Sequence, residues 1–361
     1  MTRPRTGDAG RVVALDMIRG VAILMVVLVH SSQIVAFPGF LANLTSLGRY
    51  GVPLFFILSG FLMGSLYGVG TEWSLRRFAS RRAGRLLPAW WTFLALWLLA
   101  FVVFPEEPFA LAGFSAEAKS AWIIAGIVLS ILLLNDLTPV TTNLFVPGGW
   151  SISAEAIHYS LFPGLRQLSS RSVATIAFGT AGGSVVAWIW IASAQTGWTP
   201  LNAWLTTWAP WATLPLFLVG MLLARGVPSQ VSLRRRWILV AISVASALLC
   251  GWLASLVGVD LLPLVALAGA SLFVALYYAA RVPKWLVLMG GLSYEMYFTH
   301  FVVLAALERS PFLNFFQQPL GGAPFFVIVV LLSALIAYVV RLSISRPGAR
   351  LIRRAVTGVP A

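Results

Sequence analysis

The chain alternates long apolar runs with short polar breaks almost from end to end. Runs of membrane-crossing length recur between Val12 and Val340. They predict spans over roughly 12–37, 48–68, 88–105, 121–137, 172–193, 209–224, 237–256, 259–280, 285–307 and 323–340. None of them carries the dyad alternation of a barrel strand, and a bilayer core admits only helices or closed barrels. The pattern therefore predicts an all-α fold: a polytopic transmembrane helical bundle of about ten spans. One apolar stretch, GGWSISAEAIHYSLFPGL at 148–165, does not fit that count. A further crossing there would carry the basic LRRR run at 233–236 to the opposite side, so the stretch is expected as a re-entrant or interfacial helix. Residues 1–11 then form an N-terminal tail, 12–340 the membrane domain and 341–361 a short basic tail.

Composition agrees with this and excludes a soluble globular protein. Of 361 residues 59% are hydrophobic and only 10% charged, against about 25% charged in ordinary domains. The first run is too long, and too interrupted by Asp16 and Arg19, for a cleaved signal peptide, and is expected as a permanent span. The net charge of +14 resides in short segments between apolar runs: Arg3 to Arg11, Arg76 to Arg85, Arg225 to Arg236, Arg281 with Lys284, and Arg341 to Arg354. Ten crossings place all of these inside and Glu106, Glu107, Glu117 and Glu308 outside. A multi-pass protein of the cell (plasma or inner) membrane with both termini cytoplasmic is the expectation. Charge used in this way needs no nucleic-acid partner. The single cysteine, Cys250, excludes an intramolecular disulfide, and no His or Cys set has metal-ligand spacing, so no metal is expected.

Several runs nevertheless contain ionisable residues. In LDMIRGVAILMVVLVHSSQIVAF, Arg19 and His30 are eleven residues apart, three turns plus about 20°, and so share one helical face. The rise between them is about 16 Å, half the hydrocarbon thickness. Asp16 stands three residues before Arg19 and can pair with it. Topology alone can account for Arg19, whereas a histidine inside a span is a functional-site candidate. GRYGVPLFFILSGFLMG offers Gly51, Ser59, Gly60 and Gly64 for close helix approach. WSLRRFASRRAGRLLPAWW places five arginines, Arg76, Arg77, Arg81, Arg82 and Arg85, ahead of Pro88, which is expected to open the next span. Rigid guanidinium forks suit phosphates, and anionic lipid would serve as well. In WSISAEAIHYS, Glu155 and His158 share a face at i and i+3, a spacing at which a carboxylate can orient an imidazole. GGLSYEMYFTHFVV buries Glu295 and His300, the last of only three histidines.

In this order the five segments resemble the integral-membrane acyltransferase-3 family, over residues 14 to about 340. Arg19 and His30 match its R-x10-H signature. Gly51, Val52, Phe55, Phe56, Ser59, Gly60 and Phe61 match G-V-x-x-F-F-x-x-S-G-F, and Arg82, Arg85 and Pro88 match R-x-x-R-x-x-P. Trp150, Ser151, Ser153 and Glu155 match W-S-x-S-x-E, while Ser293, Tyr294, Tyr297 and His300 match S-Y-x-x-Y-x-x-H. Where this chain has His158 the family commonly has an aromatic residue, and many members carry a further extracytoplasmic esterase-like domain that this sequence does not show. The resemblance implies transfer of an acyl group, often acetyl, from acyl-CoA to a hydroxyl of a carbohydrate, glycolipid or small glycoside at the lipid bilayer. His30, Arg19 and Glu155 would then be catalytic, with His30 the general base. Arg19 would either stabilise the oxyanion or hold the donor's phosphates or pantetheine arm. Arg82, Arg85, Ser59 and Tyr294 would bind the donor. Trp150, Ser151, Ser153, His158, Tyr297 and His300 would contact or support the substrate. Intramembrane Arg, Glu and His also suit a proton-coupled carrier or flippase of a lipid-linked sugar or small metabolite. A bundle that has lost its chemistry and serves as a sensor is a third reading. Nothing in the sequence selects the acceptor, the acyl chain length, the side on which transfer ends or the oligomeric state.

Overall fold

The computed structural model describes residues 6–39, 41, 42, 45, 47–104, 109–193, 199–228, 232–257, 262–279, 282–318 and 320–358. Among these there is no strand, and the chain is an all-α polytopic membrane bundle. Its principal helices are α1 Thr6–Ile34, α2 Gly51–Tyr67, α3 Leu75–Val103, α4 Ala116–Ile131, α5 Gly149–Leu165 and α6 Ser170–Ser193. They continue with α7 Pro210–Gly226, α8 Leu233–Val257, α9 Leu262–Tyr277, α10 Lys284–Glu308, α11 Gly322–Val340 and α12 Arg346–Thr357. Among the described residues seven helical stretches are long and apolar enough to cross a bilayer: Val13–Ile34, Leu47–Tyr67, Leu75–Val103, Ser170–Ile191, Trp204–Gly226, Lys284–Glu308 and Gly322–Thr357.

The remaining expected spans are shorter or differently bounded. The one placed at 121–137 stops at Ile131, because Leu133 takes a left-handed φ of 59° that a helix cannot continue. That leaves α4 with 16 residues, and α9 also has 16, below the roughly 20 of an upright crossing. Helix α8, with 25 residues, has the length of a span. The stretch expected at 148–165 is α5, 17 residues that continue through Pro163.

Pro88 does not open a span. Helix α3 begins thirteen residues earlier, at Leu75, where the Ser74 hydroxyl accepts from the Arg77 N–H at 3.4 Å. It then runs through Pro88 to Val103, with the Thr92 hydroxyl bonded to the Pro88 carbonyl at 2.8 Å. A proline removes one intrahelical donor, which packing in a membrane bundle can tolerate. The packing partner is α12, formed from residues expected as a tail. Gly348 abuts the Pro88 ring and Gly84 abuts Ala349, and Arg76 Nε donates to the Val356 carbonyl near the end of α12.

The chain forms two compact units, Met1–Leu58 with Gly226–Arg341, and Ser59–Arg225 with Leu342–Ala361. In the first, α1 lies along α10, α10 packs on α11, and α8 packs on α9. Lipid tails are as apolar as leucine, so shape rather than the hydrophobic effect must hold such helices together. Two glycines supply the fit between α1 and α10. A Cβ on Gly290 would lie 1.8 Å from the Asp16 carbonyl oxygen, and one on Gly20 2.2 Å from that of Leu286. In the second unit a Cβ on Gly60 would lie 1.8 Å from the Phe217 carbonyl oxygen. Among the described residues Trp90, Phe61, Phe162 and Phe217 are the largest fully buried side chains of that unit. The indoles of Trp90 and Trp91 donate to the carbonyls of Ser130 and Ile131, at 2.7 and 3.1 Å, and so cap the end of α4.

Candidate functional site

In the first unit α1 and α10 bring two histidines together. His300 Nε2 is 3.1 Å from His30 Nδ1, and the rings lie 5.2 Å apart with 28° between their planes. His300 Nδ1 is 3.0 Å from the Met296 carbonyl oxygen one turn back along α10. His300 is fully buried, whereas His30 is half-buried. Phe301 packs against both rings, at 4.7 Å from His30 and 4.0 Å from His300, and Tyr297 lies 5.9 Å from His300. Tyr294 packs edge-on against Phe298 at 5.4 Å. Arg19 Nη1 bonds to Asp16 Oδ1, the pairing expected from their spacing. Along α1 the backbone positions of Arg19 and His30 are separated by a rise of about 16 Å, and the guanidinium turns back to Asp16.

The second unit gathers the other candidates. Glu155 Oε1 accepts from Ser59 Oγ at 2.8 Å and from the Tyr159 hydroxyl, and those two hydroxyls are themselves 2.8 Å apart. Tyr159, at i+4, reaches the carboxylate, while His158 turns to α7. There its Nε2 is 3.0 Å from the Pro210 carbonyl oxygen, which can only accept, and 3.4 Å from the Thr213 hydroxyl. His158 is completely buried in this role and ties α5 to the start of α7.

The guanidinium of Arg82 lies over three rings, 5.2 Å from Tyr159, 5.7 Å from Tyr67 and 5.9 Å from Phe78. Its buried Nε has no hydrogen-bond acceptor among the described residues. Arg85 also lies within electrostatic reach of Tyr159. Beside Arg82 a cleft of about 280 Å³, lined by Phe78, Leu86, Leu133, Tyr159 and Pro163 among others, runs between α3 and α5. Such a constellation can hold an anion at the guanidinium and an apolar chain next to it.

Trp150 packs near Trp208 at 6.3 Å, and Ser151 Oγ donates to the Gly148 carbonyl at 3.1 Å. Ser153 is occupied by structure: its Oγ donates to the Leu133 carbonyl at 2.9 Å and accepts from the Asp136 N–H at 3.1 Å. It thus pins the turn in which Leu133 holds its strained φ. Ser153→Ala is expected to cost about 1–3 kcal/mol, because it leaves a buried N–H unbonded. The thermal midpoint of the purified protein should fall, and an unchanged midpoint would show that these two hydrogen bonds add nothing to the fold.

Two residues of this unit went unmarked in the sequence. Tyr159 stands four residues after Glu155, so the i+4 rule could have found it. Asp136 had no such signal. It is fully buried outside the spanning helices, with Oδ1 accepting from the Thr142 hydroxyl and its carbonyl accepting from the Trp204 indole at 3.0 Å. Burial pushes its carboxyl up to about 8, against the smaller opposing effects of Thr142 and Trp204.

Residues 12–342 match the model of a family described as an acyltransferase domain. A curated relative, acyltransferase MdmB of Streptomyces mycarofaciens, is 29% identical over 196 residues, 51% of this chain and 48% of the relative. The match thus spans about half the length of that relative. No solved structure matches the chain. The family match reaches from α1 to the end of α11 and takes in every candidate residue above, and on that extent the chain belongs to the acyltransferase-3 family.

Proposed function

We propose that this membrane protein is an O-acyltransferase that moves an acyl group, acetyl in the first instance, from acyl-CoA to a hydroxyl of a carbohydrate, glycolipid or small glycoside. The observation that carries the reading is the half-buried His30, held against His300 within a membrane-spanning helix. A hydroxyl is a weak nucleophile at neutral pH and needs a base within hydrogen-bond reach. His30 takes the hydroxyl proton as the oxygen attacks the thioester carbonyl; the C–O bond forms, the C–S bond breaks, and the proton passes to the leaving thiolate. Arg19, oriented by Asp16, serves the donor's tail rather than the reacting carbonyl. Arg82 and Arg85 supply positive charge for phosphates, and the apolar cleft beside Arg82 suits the uncharged part of a donor. The positive-inside pattern favours cytoplasmic termini in the cell membrane, which agrees with a cytosolic donor.

The test is purified protein in lipid nanodiscs with labelled acetyl-CoA, combined with mass spectrometry of glycans, lipids and secreted metabolites from cells with and without the gene. Loss of an acyl mass in the deletion, and label transfer in vitro, are expected. A protein that moves a solute but neither hydrolyses nor transfers the label is a carrier. Within this reading Arg82→Lys is expected to raise the donor's KM about tenfold, since lysine keeps the charge but loses the planar fork and its stacking on three rings. Arg354→Lys, on the exposed side of α12, should leave KM unchanged.

A further inference from the structure

We infer that His300 is a positioning residue that fixes the tautomer of His30, so that His30 presents an unprotonated Nε2 to the substrate. This rests on the proposal that His30 is the base and adds how its lone pair is placed. The argument is one of donors and acceptors. The Met296 carbonyl can only accept, so His300 Nδ1, 3.0 Å away, carries its proton. A neutral His300 with its proton on Nδ1 holds its lone pair on Nε2. That lone pair faces His30 Nδ1 at 3.1 Å, and the contact is a hydrogen bond only if His30 Nδ1 carries the proton. With Nδ1 protonated, the lone pair of neutral His30 lies on Nε2.

The opposite tautomer would set two lone pairs against each other across 3.1 Å. His300 itself does not reach substrate, since both ring nitrogens are engaged and Phe301 covers it at 4.0 Å. Among the described residues no third His, Cys, Asp or Glu completes a metal-ligand group with the pair. When His30 takes the hydroxyl proton at Nε2, its Nδ1–H bond to His300 becomes charge-assisted and strengthens, so the pair favours the protonated intermediate. The proton then leaves from the same Nε2 to the thiolate, and the pair returns to its starting state.

The chain has three histidines, so 15N-histidine labelling gives few signals, and single substitutions assign them. Solid-state NMR of the full chain in liposomes is expected to show both His30 and His300 with the proton on Nδ1. His300→Phe should release His30 to the Nε2–H form and lower kcat about ten- to hundredfold, on the scale of one buried hydrogen bond, with the donor's KM unchanged. His300→Gln, whose amide oxygen can accept from His30, should restore the Nδ1–H signal and most of kcat. A wild-type His30 protonated on Nε2 overturns the inference, as does a His300→Phe protein with unchanged tautomer and kcat. Should His300→Phe not fold, the wild-type spectrum and His300→Gln still decide it. A fully active His30→Ala protein would remove the base proposal but not the tautomer assignment, so the two failures are distinguishable.

Discussion

His30→Ala is expected to lower acyl transfer by about two to four powers of ten while leaving the donor's KM within about threefold of wild type. The size follows from the chemistry: without a base the hydroxyl must attack while still protonated, which costs the full contribution of general-base catalysis. The split between kcat and KM follows from position. His30 meets His300 and Phe301 far along α1 from Arg19, and no donor contact is ascribed to it. The measurement is single-turnover transfer of labelled acetyl from acetyl-CoA by variant protein whose extraction and elution match wild type. An inserted His30→Ala protein with full activity would remove the base. A variant that loses donor binding instead would move His30 into the donor site.

The second large effect is structural. Gly290→Ala is expected to force α1 and α10 apart, because the new Cβ would fall 1.8 Å from the Asp16 carbonyl oxygen and 2.7 Å from its carbon. Both are backbone atoms, so no rotamer change relieves the clash. Overpacking of side chains alone typically costs about 1–3 kcal/mol, and a backbone clash belongs at or above the top of that range. The same two helices carry the Asp16–Arg19 pair and the His30–His300 contact, so activity should fall with stability. Gly183→Ala on α6, where an added Cβ meets nothing within 4 Å, is the control and should behave as wild type. Thermal unfolding followed by tryptophan fluorescence separates the two. A Gly290→Ala midpoint equal to that of the control would show that the helices yield easily.

Much of this fold is legible in the sequence because bilayer length imposes itself on the hydropathy pattern. Helices α1, α2, α6 and α10 stand close to where the apolar runs place them. Pro88 misled because proline is read as a boundary, whereas α12 packs against that region and the helix passes through it. The amphipathic pattern of Arg346–Thr357 marks a helix with one apolar face, but nothing in the sequence names α3 as its partner. At the candidate site, short-range pairs were readable and long-range ones were not. Asp16 with Arg19 follows from i+3 spacing, and Glu155 with Tyr159 from i+4. The burial of His30 and His300 was evident from their apolar surroundings. Their meeting, 270 residues apart, was not, because it depends on the register that Gly20 and Gly290 allow.

The course of α3 through Pro88 has a mechanical consequence. Its 29 residues make a rod about 43 Å long, whereas the hydrocarbon layer is about 30 Å thick. Upright, such a helix outruns the hydrocarbon, and its arginines stand toward one end with exposed Leu99, Val102 and Val103 at the other. A flexible loop would decouple such a cluster from the bilayer. Arg82 and Arg85 sit on the same helix as that apolar end, so a change in bilayer thickness that altered the tilt of α3 would carry both guanidinium groups with it.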